Sequence, residues 1–144
     1  MMFIGEYQHN LDDKGRIALP IKFRSQLAAG CVVTRGIDQC LSVYTLEEWK
    51  TLASKVANLP LAQANSRAFS RLVLSGAMDA VPDRQGRMVI PDYLRQYAKL
   101  GKEVVVVGLM NRLEVWAKDV WDKYKRESEE SSSDIAEKLS ELGV

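Results

Sequence analysis

The sequence predicts an α+β fold in which a β-rich unit is duplicated, its two copies packed about a pseudo-twofold axis, with linker helices between them and a C-terminal helix after them. Three observations predict it. The stretch "LDDKGRIALP" at residues 11–20 and the stretch "VPDRQGRMVIP" at residues 81–91 share Asp-x-x-Gly-Arg, three largely apolar residues and a proline. The likeness continues beyond the motif. A spacing of 71 relates Gly15 to Gly86, Arg16 to Arg87, Pro20 to Pro91, Arg24 to Arg95 and Gly30 to Gly101, and a spacing of 72 relates Gly36 to Gly108, Leu41 to Leu113, Val43 to Val115, Tyr44 to Trp116 and Trp49 to Trp121. Finally, 144 residues supply one ordinary core. A unit of about 45 residues is too small to bury its own strands, so the copies must bury them together.

Within the first copy, residues 6–11 alternate as a strand does, and Gly15 closes a tight reversal because glycine accepts positive φ. Ile17, Ala18 and Leu19 make a short strand. Pro20 suits a helix start, since its missing N–H costs nothing there, and the helix is expected over residues 21–28. Residues 32–34 and 41–44 flank a turn at 36–39 and read as a β-hairpin. Thr45 with Glu48 three residues later is a capping box opening a helix through about residue 59, where Pro60 interrupts. A second linker helix is expected over about 62–74. The second copy repeats the pattern, with a helix over 92–100 and a hairpin from 104–107 and 113–116. A helix over about 118–130 follows, Ser131-Ser132-Ser133 breaks it, and residues 134–142 form a short amphipathic helix. The expected division is 6–48 for the first unit, 49–76 for a helical linker, 77–120 for the second unit and 121–144 for an acidic helical tail.

Composition excludes several classes. Hydrophobic residues at 47% and charged residues at 27% describe a chain that buries a core and is not wholesale disordered. No apolar run approaches the roughly 20 residues that span a bilayer, and Met1-Met2-Phe3-Ile4 stops at Gly5-Glu6 without a basic flank. A cytoplasmic protein with no membrane partner is expected. Cys31, Cys40 and the single histidine, His9, are too few for a Cys/His zinc site, so no metal is expected. Asp12, Asp13 and His9 sit near one turn, but no nucleophile elbow, phosphate loop or metal cluster accompanies them, and the second copy has no histidine. No catalysis, cofactor or small-molecule substrate is expected.

Net charge is only +1, yet it is unevenly placed. Residues 1–35 carry +2 and residues 81–102 carry +3, whereas the tail from Arg126 onward carries −4. Both motif regions are basic, which favours an anionic partner. A duplicated turn is a duplicated contact, and a repeated contact suits a repeated polyanion, namely nucleic acid. Arginine can bridge guanine O6 and N7 bidentately, worth roughly 1–3 kcal/mol of discrimination, whereas lysines mostly meet phosphates. Arg16 and Arg87 are candidates for the first role, and Lys14, Lys22 and Arg84 for the second. Asp12, Gly15, Asp83 and Gly86 shape the turns. Two bland alternatives stay open: Arg16 and Arg87 as internal ion pairs with Asp12 and Asp83, and Arg24 and Arg95 as parts of solvated helix faces. Tyr44, Trp49, Trp116 and Trp121 fit core or subunit packing better than base stacking.

The segments "DDKGRIALPIKFR" and "DRQGRMVIPDYLR", followed by "VVTRGIDQCLSVYTLEEW" and "VVVVGLMNRLEVWAKDVW", resemble the two SpoVT-AbrB domains of MraZ proteins over residues 3 to about 130. The resemblance implies duplicated AbrB-like units in a DNA-binding transcriptional regulator of the division and cell-wall gene cluster. It further implies a repressor of its own promoter, bound to spaced direct repeats of double-stranded DNA as a ring-like homo-oligomer in the nucleoid. By motif position, it implies DNA contact by Arg16 and Arg24 in the first copy and by Arg87 and Arg95 in the second. Gln85 replaces the base found at Lys14, and Asp92 and Tyr93 stand where Ile21 and Lys22 do, which implies weaker phosphate binding by the second copy. The alternative reading is a protein-interaction module of the antitoxin type that binds a partner protein.

Overall fold

The computed structural model describes residues 2–144; Met1, the first residue of the opening apolar run, lies outside them. The first repeat contains β1 (Phe3–Asn10), β2 (Arg16–Ala18), a 3-10 turn (Ile21–Phe23) running into α1 (Arg24–Leu27), β3 (Cys31–Arg35) and β4 (Leu41–Thr45). Two helices, α2 (Leu46–Ala57) and α3 (Ala64–Ser75), connect it to the second repeat. That repeat contains β5 (Met78–Ala80), β6 (Arg87–Val89), α4 (Asp92–Tyr97), β7 (Glu103–Met110) and β8 (Leu113–Ala117). The chain closes with α5 (Lys118–Glu130), α6 (Ser132–Lys138) and a 3-10 turn (Ser140–Leu142).

Local signals set most of these boundaries. Pro20 and Pro91 stand as the residues capping the helical segments, with extended ψ of 135° and 158°, so each ends its strand and launches the next turn. Thr45 caps α2 by accepting the Glu48 backbone N–H on its hydroxyl at 3.2 Å. The helices expected over 21–28 and 92–100 are shorter. The first begins as 3-10 and ends at Leu27, and the second ends at Tyr97, where the left-handed Lys99 (φ 55°) turns the chain toward β7. Of the three serines expected to break the last helix, only Ser131 does so, and α6 begins at Ser132.

All pairings are antiparallel, and they interleave the repeats. One sheet has six strands in the order β1-β7-β8-β4-β3-β5, and a separate two-stranded ribbon pairs β2 with β6. Thus β1 of the first repeat lies on the β7–β8 hairpin of the second, and β5 of the second lies on the β3–β4 hairpin of the first. The pseudo-twofold axis passes between Ser42 and Glu114 at the centre of the large sheet. It passes between Ile17 and Met88 at the centre of the ribbon. The ribbon is bracketed symmetrically: Leu19 N–H donates to Gly86 C=O at 2.8 Å, and Ile90 N–H donates to Gly15 C=O at 2.9 Å.

The pairing register also corrects the repeat alignment. Arg35 pairs with Leu41 and Gly108 pairs with Leu113, so Gly108 occupies the place of Arg35 and not of Gly36. The hairpin tip is one residue longer in the first repeat, and a run of valines on both strands lets a gap slide in the sequence without visible cost.

Three layers result. Alternate residues of the six strands, among them Phe3, Val33, Val43, Val106 and Val115, face the buried side chains Ile17 and Met88 of the ribbon and Phe23, Leu27 and Leu94 of the short helices. Phe23 is the keystone of one end, meeting Phe3 and Tyr7 edge-to-face at centroid distances of 5.1 and 5.4 Å. The opposite face of the sheet carries the long helices. Thr34 donates to the Val73 carbonyl of α3 at 2.6 Å, and Trp121 of α5 packs on Trp116 at 5.3 Å. The ribbon therefore stands on the side of the sheet away from α2, α3 and α5. Phe23→Ala removes a wholly buried ring and its two aromatic contacts. It is expected to cost about 3–5 kcal/mol in a urea or guanidinium unfolding titration.

Candidate nucleic-acid interface

Each Asp-x-x-Gly-Arg turn is built around its aspartate. Asp12 Oδ1 accepts the backbone N–H groups of Lys14 and Arg16, both at 2.9 Å, and its Oδ2 accepts Arg16 Nε at 2.6 Å. The Gly15 N–H donates back to the Asp12 carbonyl at 3.0 Å. Asp83 repeats the arrangement: Oδ1 accepts Gln85 N–H and Arg87 N–H at 2.9 Å, and Oδ2 accepts Arg87 Nε at 2.9 Å. Gly15 and Gly86 both have φ of +73°, a conformation that an L side chain resists. A carboxylate with two oxygens is the group that can hold two backbone donors and a guanidinium at once, which explains the motif's aspartate.

These bonds stabilise the ionised carboxylates. The Arg16 backbone N–H foremost, helped by the Arg16 side chain and the Lys14 N–H and opposed by partial desolvation, holds the Asp12 carboxyl below its ordinary value. The Arg87 backbone N–H does the same for Asp83. Because Oδ2 takes only Nε, the two terminal nitrogens of each guanidinium have no hydrogen-bond partner among the described residues. The ion pair and a fork free of protein partners among the described residues coexist in one side chain.

On the ribbon, the inward residues Ile17 and Met88 are buried, so the flanking Arg16, Ala18, Arg87 and Val89 share the outer face. Arg16 pairs across to Val89 and Arg87 pairs across to Ala18, which sets the two arginines on opposite sides of the pseudo-dyad. Lys14, Lys22 and Arg84 are exposed around them. The structure thus brings all the sequence-derived basic candidates to the ribbon, its turns and its two flanking helices.

The helix arginines are arranged otherwise than the motif order suggests. The Arg24 stem lies across Gly86, the glycine of the other repeat's turn, and the Arg95 guanidinium lies across Gly15. A Cβ at either glycine would run into that arginine. Arg24 Nε donates to the Leu19 carbonyl at 2.9 Å, whereas Arg95 is bound by Asp92 three residues earlier on α4. The Asp92–Arg95 pair has a signal in the sequence, an Asp–Arg pair at i,i+3 of a helix. The crossing of repeats carries no sequence signal.

The other candidates settle into structural roles. Trp116 is buried, Trp121 and Tyr124 pack on it at centroid distances of 5.3 and 5.0 Å, and Tyr44 meets Trp49 at 6.0 Å. Cys31 and Cys40 are buried thiols, and burial pushes Cys31 up to about 11. His9 is half-buried, and burial foremost, then the nearby Arg24, lowers its pKa. Among the described residues no group of three His, Cys, Asp or Glu side chains could hold a metal ion, and no helix is long and apolar enough to cross a membrane.

A family profile described as "MraZ protein, putative antitoxin-like" matches this chain twice, over residues 2–72 and 73–142. The chain belongs to the MraZ family. It is similar to proteins named "Transcriptional regulator MraZ" from Halothermothrix orenii, with 49% identity, and from Natranaerobius thermophilus, with 46%. Each alignment spans 143 residues, 99% of this chain and 100% of the relative. Membership places the chain among regulators and not among enzymes. The double match also agrees with the two interleaved AbrB-like repeats of the fold.

The lowered carboxyl values make the turns acid-sensitive, with a defined sign. The folded values lie below the unfolded ones, so the stabilisation is whole above the ordinary carboxylate range and is lost as pH falls through the lowered values. The amide resonances of Lys14, Arg16, Gln85 and Arg87 are expected to shift together on acidification, with midpoints below the ordinary aspartate value. Midpoints at or above the ordinary aspartate value would contradict the assignment.

Proposed function

We propose that the protein is a sequence-specific DNA-binding transcriptional regulator, a repressor of its own promoter and of the division and cell-wall gene cluster. In this reading it works in the cytoplasm on nucleoid DNA. The observation that carries it is the pair of dyad-related arginines, Arg16 and Arg87, on the outer face of one ribbon, each anchored through Nε to an aspartate while its terminal nitrogens have no hydrogen-bond partner among the described residues. A guanidinium fixed at one edge has lost most of its rotamer freedom, so bidentate contact with guanine O6 and N7 costs little further ordering. Lys14, Lys22 and Arg84 suit the phosphates on either side.

One ribbon offers too few contacts for tight binding by itself. Several ribbons held in a ring-like homo-oligomer over spaced direct repeats would raise the effective concentration of each successive contact. The exposed cross-strand pair Ile4 and Leu109, beside exposed Met110 at the β1 edge of the sheet, supports self-association. A second reading, an antitoxin-type module that binds a partner protein, is favoured by the wording of the family description.

Fluorescence anisotropy separates the two. The protein is titrated at two salt concentrations against the duplex upstream of its own coding sequence and against a scrambled duplex. The DNA reading expects preferential, salt-dependent binding to the native duplex. Binding to neither duplex by folded protein favours the partner-protein reading. Arg16→Ala and Arg87→Ala are each expected to weaken specific binding by about tenfold to a hundredfold, corresponding to roughly 1–3 kcal/mol, with unchanged thermal melts. Deleting residues 127–144, an acidic segment exposed apart from half-buried Ser128, is expected to leave DNA contact intact. Loss of the complex with retention of the oligomer would contradict that expectation.

A further inference from the structure

The two halves of the proposed DNA face are chemically unequal, and which of them is the more basic follows only when the halves are assembled across the repeats. One half consists of the 83–87 turn with the helical segment of the first repeat that covers it. Its charged side chains are Lys22, Arg24, Arg84 and Arg87 against Asp83, a net of +3. The other half consists of the 12–16 turn with α4 over it and Lys102 beside the same cleft. Its charged side chains are Lys14, Arg16, Arg95 and Lys102 against Asp12, Asp13 and Asp92, a net of +1. Taken along the chain, the motif segment 12–24 carries +2 and the motif segment 83–95 carries +1. Assembled in space, the half built on the 83–87 turn is the more basic.

The helix arginines sharpen the difference. Arg24 spends only its Nε within the protein, on the Leu19 carbonyl, and its two terminal nitrogens have no hydrogen-bond partner among the described residues. Arg95 lies with one terminal nitrogen over Gly15 and the other bound to Asp92 Oδ1. Ile21 occupies the position equivalent to Asp92 in the first repeat and offers no carboxylate to Arg24. The asymmetry is therefore set largely by one residue. Asp92 is itself widely exposed, its side chain 79% accessible, so it contributes negative charge to the face as well as holding the arginine.

We infer that Asp92 is a specificity-determining residue that mutes one half of the DNA face by occupying Arg95, leaving the Arg24–Arg87 half to make the stronger contact with each DNA repeat. This inference rests on the DNA-binding reading above. A phosphate near Arg95 must compete with the Asp92 carboxylate and is repelled by it, whereas a phosphate or base near Arg24 meets an unoccupied fork. An asymmetric pair of half-contacts gives the protein a polarity on its operator, which direct repeats can match and a palindrome cannot.

The test uses the full-length protein and the duplex upstream of its own coding sequence, read by anisotropy over a salt series. Asp92→Asn, at an exposed position, is expected to tighten binding several-fold and to steepen the dependence of log K on log salt by about one unit. Arg24→Ala is expected to weaken binding at least fivefold more than Arg95→Ala does. Arg24→Lys, which keeps the charge but not the fork, distinguishes lost recognition from lost folding when thermal melts are compared. In double-mutant cycles Arg24→Ala couples to Arg87→Ala and adds independently to Arg16→Ala. Tight wild-type binding with Asp92→Asn silent and Arg24 and Arg95 equal in effect would overturn the inference alone. Absence of salt-dependent binding by the wild type would overturn the DNA reading and this inference together.

Discussion

Neither repeat can complete its own sheet, and the rest of the architecture depends on that constraint. The hairpins β3–β4 and β7–β8 join along the β4–β8 seam, and each recruits as its outer neighbour the first strand of the other repeat. Backbone donors and acceptors on a buried strand must be paired, so the exchange of β1 and β5 is what closes the hydrogen-bonding account of both halves. The same exchange brings β2 and β6 together. A ribbon of two three-residue strands has no stability of its own. It persists because Ile17 and Met88 beneath it are sealed against the shared core.

Symmetry then does the functional work. Because the ribbon straddles the pseudo-axis, whatever protrudes from one turn is presented again from the other, in the same conformation and on the same surface. The aspartate makes that presentation rigid. An exposed ion pair contributes only about 0–1 kcal/mol to stability, so the Asp12–Arg16 and Asp83–Arg87 pairs matter less as staples than as clamps on the arginine rotamer. Internal pairing occupies Nε of each guanidinium and leaves the other two nitrogens for the recognition proposed above.

Duplication has not preserved equality. The eight-residue β1 and the three-residue β5 occupy equivalent edges, the hairpin tips differ by a residue, and Asp92 faces an arginine where Ile21 does not. On the axis the ribbon pair Ile17 and Met88 is apolar in both copies, whereas the sheet pair Ser42 and Glu114 differs in chemistry.

The sequence by itself determined the repeat, the turn chemistry, the caps at Thr45 and at the two prolines, and the apolar faces. All of these are interactions among residues close along the chain, and their periodicity or spacing is written in it. The aromatic residues Tyr44, Trp49, Trp116 and Trp121 were likewise legible as packing groups from their hairpin and helix positions. What the sequence left open was decided in three dimensions. The exchange of edge strands, the seating of Arg24 over Gly86 and of Arg95 over Gly15, and the true equivalence of Arg35 with Gly108 join residues whose separation carries no signal. A strand edge will accept any strand of compatible pattern, so the choice between a repeat's own partner and its twin's is made by the whole core. That choice also decides which basic residues share a surface, and hence why the copy that reads as the weaker in sequence supplies the turn at the more basic half.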